Sequence, residues 1–364
     1  MFSKRAHWSA PVNALTLARR ARTDVLDLTE TNPTRAQLVY PHDELADALA
    51  RGAHASYDPD PRGLLSARET LAEHLHCDAD DLLLTASTSE AYAFLFKLLT
   101  DPGDALLTAT PSYPLLEHLA QMEHITLRSF AMEFHRRWEL PDFAPDERTR
   151  AILVVNPNNP TGSFVSEAEQ DALARHELPI VSDEVFLDYP LEGRGTTFVR
   201  DDVLTFTLGG LSKSAGLPHF KLGWIRVSGP GKRDALEALE MIADNYLSVG
   251  TPVQVALPEL LRIGANIRAQ ISQRTKNNLA TLRTIANPAI DVLPVEGGWC
   301  AVLRVPRVMS DDELALHLLE RGVVVQPGYF FDFDRDGYVV LSLLTPEATF
   351  KAGIDIIASI DWRQ

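Results

Sequence analysis

Through the middle of the chain, short apolar runs alternate with longer segments of helical periodicity. The runs at 82–85, 105–109, 125–130, 151–155, 179–181, 203–208 and 221–227 are bounded by turn residues and read as strands. Between them lie EAYAFLFKLL, LLEHLAQM and EAEQDALARH, whose apolar positions recur at helical spacing. Each helix is announced by a polar or proline-bearing stretch: Ser87-Thr88-Ser89, Thr110 to Pro114, and Ser166. This alternation demands crossover connections, and so a mostly parallel sheet covered by helices on both faces.

The flanks have a different rhythm. Positions 12–22 carry a short amphipathic helix pattern, 25–28 a strand, and 29–35 (TETNPTR) a turn cluster. From Asp43 the pattern DELADALARGAH is helical, and YDPDPRGLL at 57–65 is a loop stiffened by Pro59 and Pro61. Ser66 followed by Glu69 has the spacing of a capping box for ARETLAEHLH. Beyond Pro230 come two long helical patterns reaching about position 287, then strands at 292–294, 299–305, 323–325 and 338–343 with helices at 310–321 and 346–360. The expected fold is α/β: a large three-layer domain over 46–285 and a smaller α+β domain built from 1–45 and 286–364.

Composition narrows the function. Apolar residues are 45% of the chain and charged residues 23%, as in an ordinary globular enzyme. The net charge of −16 comes without a basic stripe, which argues against nucleic-acid and anionic-membrane partners. Two distant cysteines, Cys77 and Cys300, fit a reducing cytoplasm better than a disulfide framework or a zinc site. The N-terminus lacks the apolar core of a secretory signal, and no apolar run is long enough for a membrane span.

In an open α/β sheet the ligand crevice lies at the carboxyl ends of the strands. The residues expected there are Ser87, Thr88, Ser89, Tyr113, Asn159, Asp183, Ser212 and Lys213, with Lys221 at the start of the next strand. Each alone has an ordinary explanation: a helix cap, a stiff loop, an exposed lysine. Together they suit pyridoxal 5′-phosphate. A lysine can form an imine with the aldehyde, a buried acid can hold the pyridine nitrogen protonated, and an aromatic ring can stack on the pyridine. A helix N-terminus with hydroxyls suits the phosphate, and Lys221 is placed beside it as a fixed cation.

The segments YDPDPRGLLSARETLA, LLLTASTSEAYAFLFKLLTDPGDALLTATPSYP, VVNPNNPTGSF, IVSDEVF, GLSKSAGLPHFKLGW, VEGGWCAVLRV and VVLSLLTPE occur in that order. In this series the chain resembles, over nearly its whole length, the fold type I, class I/II pyridoxal-phosphate aminotransferases typified by aspartate aminotransferase. The resemblance implies that Lys213 is the imine lysine and Asp183 the partner of the ring nitrogen. It implies that Asn159 donates to the phenolic oxygen and that Tyr113 stacks on the ring. Ser87, Thr88, Ser89, Ser212 and Lys221 are then phosphate ligands. Tyr57 would reach the phosphate of a neighbouring subunit, which implies a homodimer with shared sites, although its spacing to Gly63 is one residue long. The implied reaction is a ping-pong transfer from an amino acid or related amine to a 2-oxo acid. The same scaffold also hosts C–S lyases and decarboxylases, and a non-catalytic cofactor-binding role stays open.

Four positions depart from the family pattern. Gly210 stands for a phosphate-binding serine, Lys221 for an arginine, and Phe186 for a tyrosine that donates to the phenolic oxygen. Losing that donor is expected to leave the imine more basic. Val340 stands where the family carries the arginine that grips the substrate carboxylate. Either another cation substitutes, with Arg35 and nearby Asn32 the best candidates and Arg62 and Arg304 poorer ones, or the substrate has no α-carboxylate at that position.

Overall fold

The computed structural model describes Ser3, Arg5 and residues 12–362; most of the N-terminal stretch read for a secretory signal lies outside these. In chain order come α1 (Ala14–Arg20), β1 (Leu26–Asp27), α2 (His42–Gly52) and α3 (Leu65–Leu75). The alternating block follows: β2 (Leu82–Thr85), α4 (Thr88–Leu99), β3 (Ala105–Thr110), α5 (Leu115–Met122) and β4 (Thr126–Ala131). A hairpin of β5 (Glu133–Phe134) and β6 (Trp138–Glu139) leads to β7 (Thr149–Val155), α6 (Glu167–Ala174) and β8 (Ile180–Asp183). Then come β9 (Thr205–Gly210), the single turn α7 (Leu211–Ser214) and β10 (Gly223–Ser228). Helices α8 (Lys232–Asp244), α9 (Thr251–Val255) and α10 (Leu257–Leu282) lead out of the block. The C-terminal part holds β11 (Asp291–Val292), β12 (Cys300–Arg304), α11 (Asp311–Glu320), β13 (Val323–Val324), β14 (Gln326–Pro327), β15 (Tyr338–Ser342) and α12 (Glu347–Ala358).

The main sheet has seven strands in the order β2-β10-β9-β8-β7-β3-β4. All its pairs are parallel except those of β10, which runs antiparallel to both β2 and β9. Successive side chains of β2 go to opposite faces: Leu83 joins the core with Phe94 and Ile225, whereas Leu82 and Leu84 join the core with Trp224 and α10. Both faces are therefore buried, as a parallel sheet requires. The strand at the N-terminus, which had no place in the alternating block, pairs in parallel with β13 through Leu26–Val323 and Asp27–Val324. Strands β11, β12, β15 and β14 form a second, antiparallel sheet.

Of the local expectations, one fails, one holds and one is refined. Ser66 does not cap α3, because Gln254 Oε1 accepts from the Leu64 N–H at 2.6 Å and the helix starts one residue earlier than Ser66. Ser166 does cap α6 in a full capping box with Glu169. The Gly209-Gly210 pair forms the end of β9, two residues beyond the apolar run. It lies opposite Trp224 and Gly223, and a Cβ on Gly209 would meet the Trp224 ring at about 2.5 Å. Lys213 consequently sits on α7, and Lys221 precedes β10 in a left-handed conformation with φ 51°.

Candidate active site

A cavity of about 360 Å³ opens at the carboxyl ends of the parallel strands. Its wall includes Ser87, Thr88 and Ser89 at the start of α4, Tyr113 after β3, Asn159 after β7 and Asp183 at the end of β8. Ser212 and Lys213 on α7, and Lys221 before β10, complete the set of expected residues that meet there. A larger groove of about 690 Å³ lies along α5 and shares Tyr113, but its wall contains neither Lys213, Asp183 nor Asn159.

The chain holds Lys213 firmly by its backbone. The Tyr189 hydroxyl donates to the Lys213 carbonyl at 2.5 Å, and Leu211 N–H donates to the Leu222 carbonyl at 2.9 Å. Behind the turn, Gly264 of α10 allows Ala215 to pack against the helix; a Cβ there would lie about 2.4 Å from that of Ala215. The side chain is mostly buried, with Nζ 4.9 Å from the Trp299 ring centroid and 5.6 Å from that of Phe186. Burial pushes its ammonium below the usual range, against the opposing pull of Cys300 and Asp183.

Asp183 is 6% exposed, and burial raises its carboxyl above the usual range. Three groups work against that rise: the Tyr92 hydroxyl, which donates to Oδ2 at 2.6 Å, the Val185 N–H, which donates to Oδ1 at 3.1 Å, and the Lys213 ammonium. Burial likewise raises the Tyr113 phenol, with Asp183 adding to the rise, and pushes the Cys300 thiol up to about 12.

The NPNNPTG loop divides its asparagines between structure and cavity. Asn156 donates to the Thr196 carbonyl and accepts from Val165 N–H, while Asn158 donates to the Pro111 carbonyl and to Thr161 Oγ1. Asn159 instead lines the cavity with a buried Oδ1 that has no partner in the protein. At the other end, Ser87 caps the twelve-residue helix α4, its Oγ accepting from Glu90 N–H, and Ser87, Thr88 and Ser89 at this N-terminus line the cavity.

These residues fit a pyridoxal phosphate. A buried carboxylate beside a lysine of depressed pKa calls for another cation, which a protonated ring nitrogen supplies. The Asn159 amide lines the cavity and carries a donor, Nδ2, beside its unpartnered Oδ1, and that donor suits a phenolic oxygen. The α4 terminus with its three hydroxyls, Ser212 and Lys221 suits a dianion.

The structure leaves three expected residues outside the cavity. Tyr57 is 75% exposed on a separate crevice beside Pro61 and Leu247. Arg35 is exposed, and Asn32 Oδ1 accepts from the N–H and hydroxyl of Thr34; from that loop Thr31 is the residue that lines the cavity. Val340 is fully buried in the second sheet, opposite Val302 and Gln326 and packed with Trp138 and Phe331. The two poorer arginines are spent elsewhere, Arg62 on the carbonyls of Asp80 and Leu82 and Arg304 on Asp291. Sequence reasoning missed Tyr92, Thr31, Trp299 and Cys300 as site residues. The segment VEGGWCAVLRV flagged the last two, but nothing in a helical Tyr signals a carboxylate on a strand 91 residues away.

A profile of the family described as aminotransferase class I and II matches residues 23–354. Human tyrosine aminotransferase is 31% identical over 240 residues, covering 60% of this chain and 52% of that protein. Alanine aminotransferase of Mycobacterium tuberculosis is 25% identical over 376 residues, covering 93% and 86%. The chain spans about half the length of the human relative and of a rice nicotianamine aminotransferase, at 52% and 49%. Alanine aminotransferase from Pyrococcus furiosus superposes with a TM-score of 0.85 at 24% identity, covering 98% of each chain, which bears on the fold.

Proposed function

Since the chain belongs to the class I and II aminotransferase family, we propose that it transfers an amino group from an amino acid or related amine to a 2-oxo acid, using pyridoxal 5′-phosphate. The observation that carries this reading is the meeting of Lys213, Asp183 and Asn159 in one cavity with the N-terminus of α4. When bound, the cofactor supplies an aldehyde that accepts an amino group and a protonated ring that withdraws electrons from the substrate Cα.

The chain's residues then have distinct tasks. Lys213 Nζ, kept below its usual pKa by burial, takes the proton from the substrate Cα and returns it on the other side of the transfer. Of the cavity-lining residues, Asp183 would keep the ring nitrogen protonated, Asn159 would donate to the phenolic oxygen, and Tyr113 would stack on the ring. Ser87, Thr88, Ser89, Ser212 and Lys221 hold the phosphate. Lys221 contributes a point charge rather than the bidentate fork of an arginine. Arg35 is the candidate for the substrate carboxylate, because its loop contributes Thr31 to the cavity wall.

We further infer a cytoplasmic homodimer in which Tyr57 serves the partner's site. The exposure of this tyrosine supports that reading, as does the exposed apolar surface of Met241, Tyr246 and Leu247. Among the described residues no helix is long and apolar enough to cross a membrane.

A panel of amino acids mixed with the holoprotein tests the reaction. Conversion of the cofactor's absorbance to the amino form, reversed by a 2-oxo acid, is the expected result. Release of pyruvate and ammonia without that conversion, or no change at all, overturns the proposal.

A further inference from the structure

Tyr92 lies on α4, one helical turn beyond Thr88, and its ring is 1% exposed. It packs against Phe96 at 5.9 Å between centroids and within the core that includes Leu83 and Ile225. A phenylalanine would fill that space equally well; the hydroxyl is the part whose burial is costly unless it is bonded. Its partner is Asp183 Oδ2, at 2.6 Å.

We propose that Tyr92 is a positioning residue for the transfer reaction: its hydroxyl orients the Asp183 carboxylate toward the cofactor, and through it α4 ties the phosphate anchor to the ring-nitrogen anchor. The proposal rests on Asp183 facing the ring nitrogen, as in the proposed function. With Val185 N–H on Oδ1 and Tyr92 on Oδ2, each carboxylate oxygen has one fixed donor, so the group cannot rotate freely. The other titratable or charged groups facing Asp183 are Lys213 on α7, Tyr113 ahead of α5 and its neighbour Glu184. Among the described residues, Tyr92 is the one whose side chain donates a hydrogen bond to this carboxylate. Its phenol stays protonated, because burial and the adjacent Asp183 raise its pKa well above the usual range. The helix whose first turn carries Thr88 and Ser89 thus reaches the Asp183 carboxylate about 6 Å further along its axis. A displacement of α4 would disturb both anchors together.

The test uses the full-length holoprotein and Tyr92→Phe. Losing a hydrogen bond to a charged group raises the Asp183 pKa, so the acid limb of the amino-acid half-reaction moves to higher pH by roughly one unit or more. Cofactor dissociation becomes roughly 10- to 100-fold easier, by the same loss. Phe96→Leu loosens the same packing without touching the carboxylate; it lowers the melting temperature and leaves both readouts in place. Should Tyr92→Phe fold poorly, 3-fluorotyrosine at position 92 keeps the shape, strengthens the donor and moves the limb to lower pH. An acid limb and cofactor affinity indifferent to either change overturn the proposal. Asp183→Asn is run alongside: if it too moves neither readout, the assignment of Asp183 fails, whereas a response to Asp183→Asn alone sinks only the role of Tyr92.

Discussion

Lys213 Nζ lies 4.9 Å from the centroid of the Trp299 ring. Trp299 immediately precedes β12, so the second sheet covers the lysine that the main sheet presents. The indole is 1% exposed, meets Phe186 edge-on at 5.2 Å and Tyr189 at 5.1 Å, and offers its π face to the ammonium. Trp299→Ala is expected to cost about 3–5 kcal/mol of stability through lost burial and a residual cavity. Chemical denaturation measures it, and a loss below about 1 kcal/mol would show that the two layers are not joined there.

Phe186 lines the cavity with a ring that has nothing to donate. Phe186→Tyr adds a hydroxyl able to stabilise a phenolate oxygen. The pH midpoint of the bound cofactor's absorbance change should fall by about one to two units, the equivalent of one hydrogen bond to a charged group. A midpoint that stays put or rises would mean that position 186 does not face that oxygen.

Glu184 accepts from Thr197 Oγ1, Phe198 N–H and Ser182 Oγ, yet burial still pushes its carboxyl up to about 7, with Asp183 adding to the rise. Its folded pKa exceeds the unfolded one. The native state therefore holds a proton that the unfolded chain has released between about pH 4.5 and 7. This contribution to stability is complete below pH 4.5 and is lost as pH rises through 7, on the order of 3 kcal/mol in all. Glu184→Gln keeps the acceptor without the charge, so its melting temperature relative to the parent should climb from pH 5 to pH 8. A constant difference across that range would contradict the assignment.

Arg35 is the exposed arginine of the loop whose Thr31 reaches the cavity. Arg35→Ala should raise the KM for amino acids roughly tenfold with kcat little changed, as when one charge-assisted contact is lost equally from ground and transition states. Steady-state kinetics with a saturating 2-oxo acid measures this, and an unaltered KM would exclude Arg35 as the carboxylate ligand.

Much of this site was legible along the chain because it obeys a topological rule. Side chains at the carboxyl ends of parallel strands must share a rim, so Tyr113, Asn159, Asp183 and Lys213 could be grouped without coordinates. The capping box at Ser166 was equally readable, since its chemistry is complete within four residues. Ser66 has the same spacing and fails, because a side chain from α9, Gln254, sets where that helix begins.

Periodicity and turn chemistry, both local, thus determined the alternating fold, the order of the strands' polar ends and the position of Lys213 among them. What only the tertiary structure decided is which groups stand beside that lysine once distant segments fold over it. The Trp299 ring comes from 86 residues downstream, and the phenol that holds Asp183 comes from 91 residues upstream on a helix that reads as plain core. The burial that depresses Lys213 and raises Asp183 belongs to the assembled layers, because desolvation is a property of what surrounds a group and not of its neighbours in sequence.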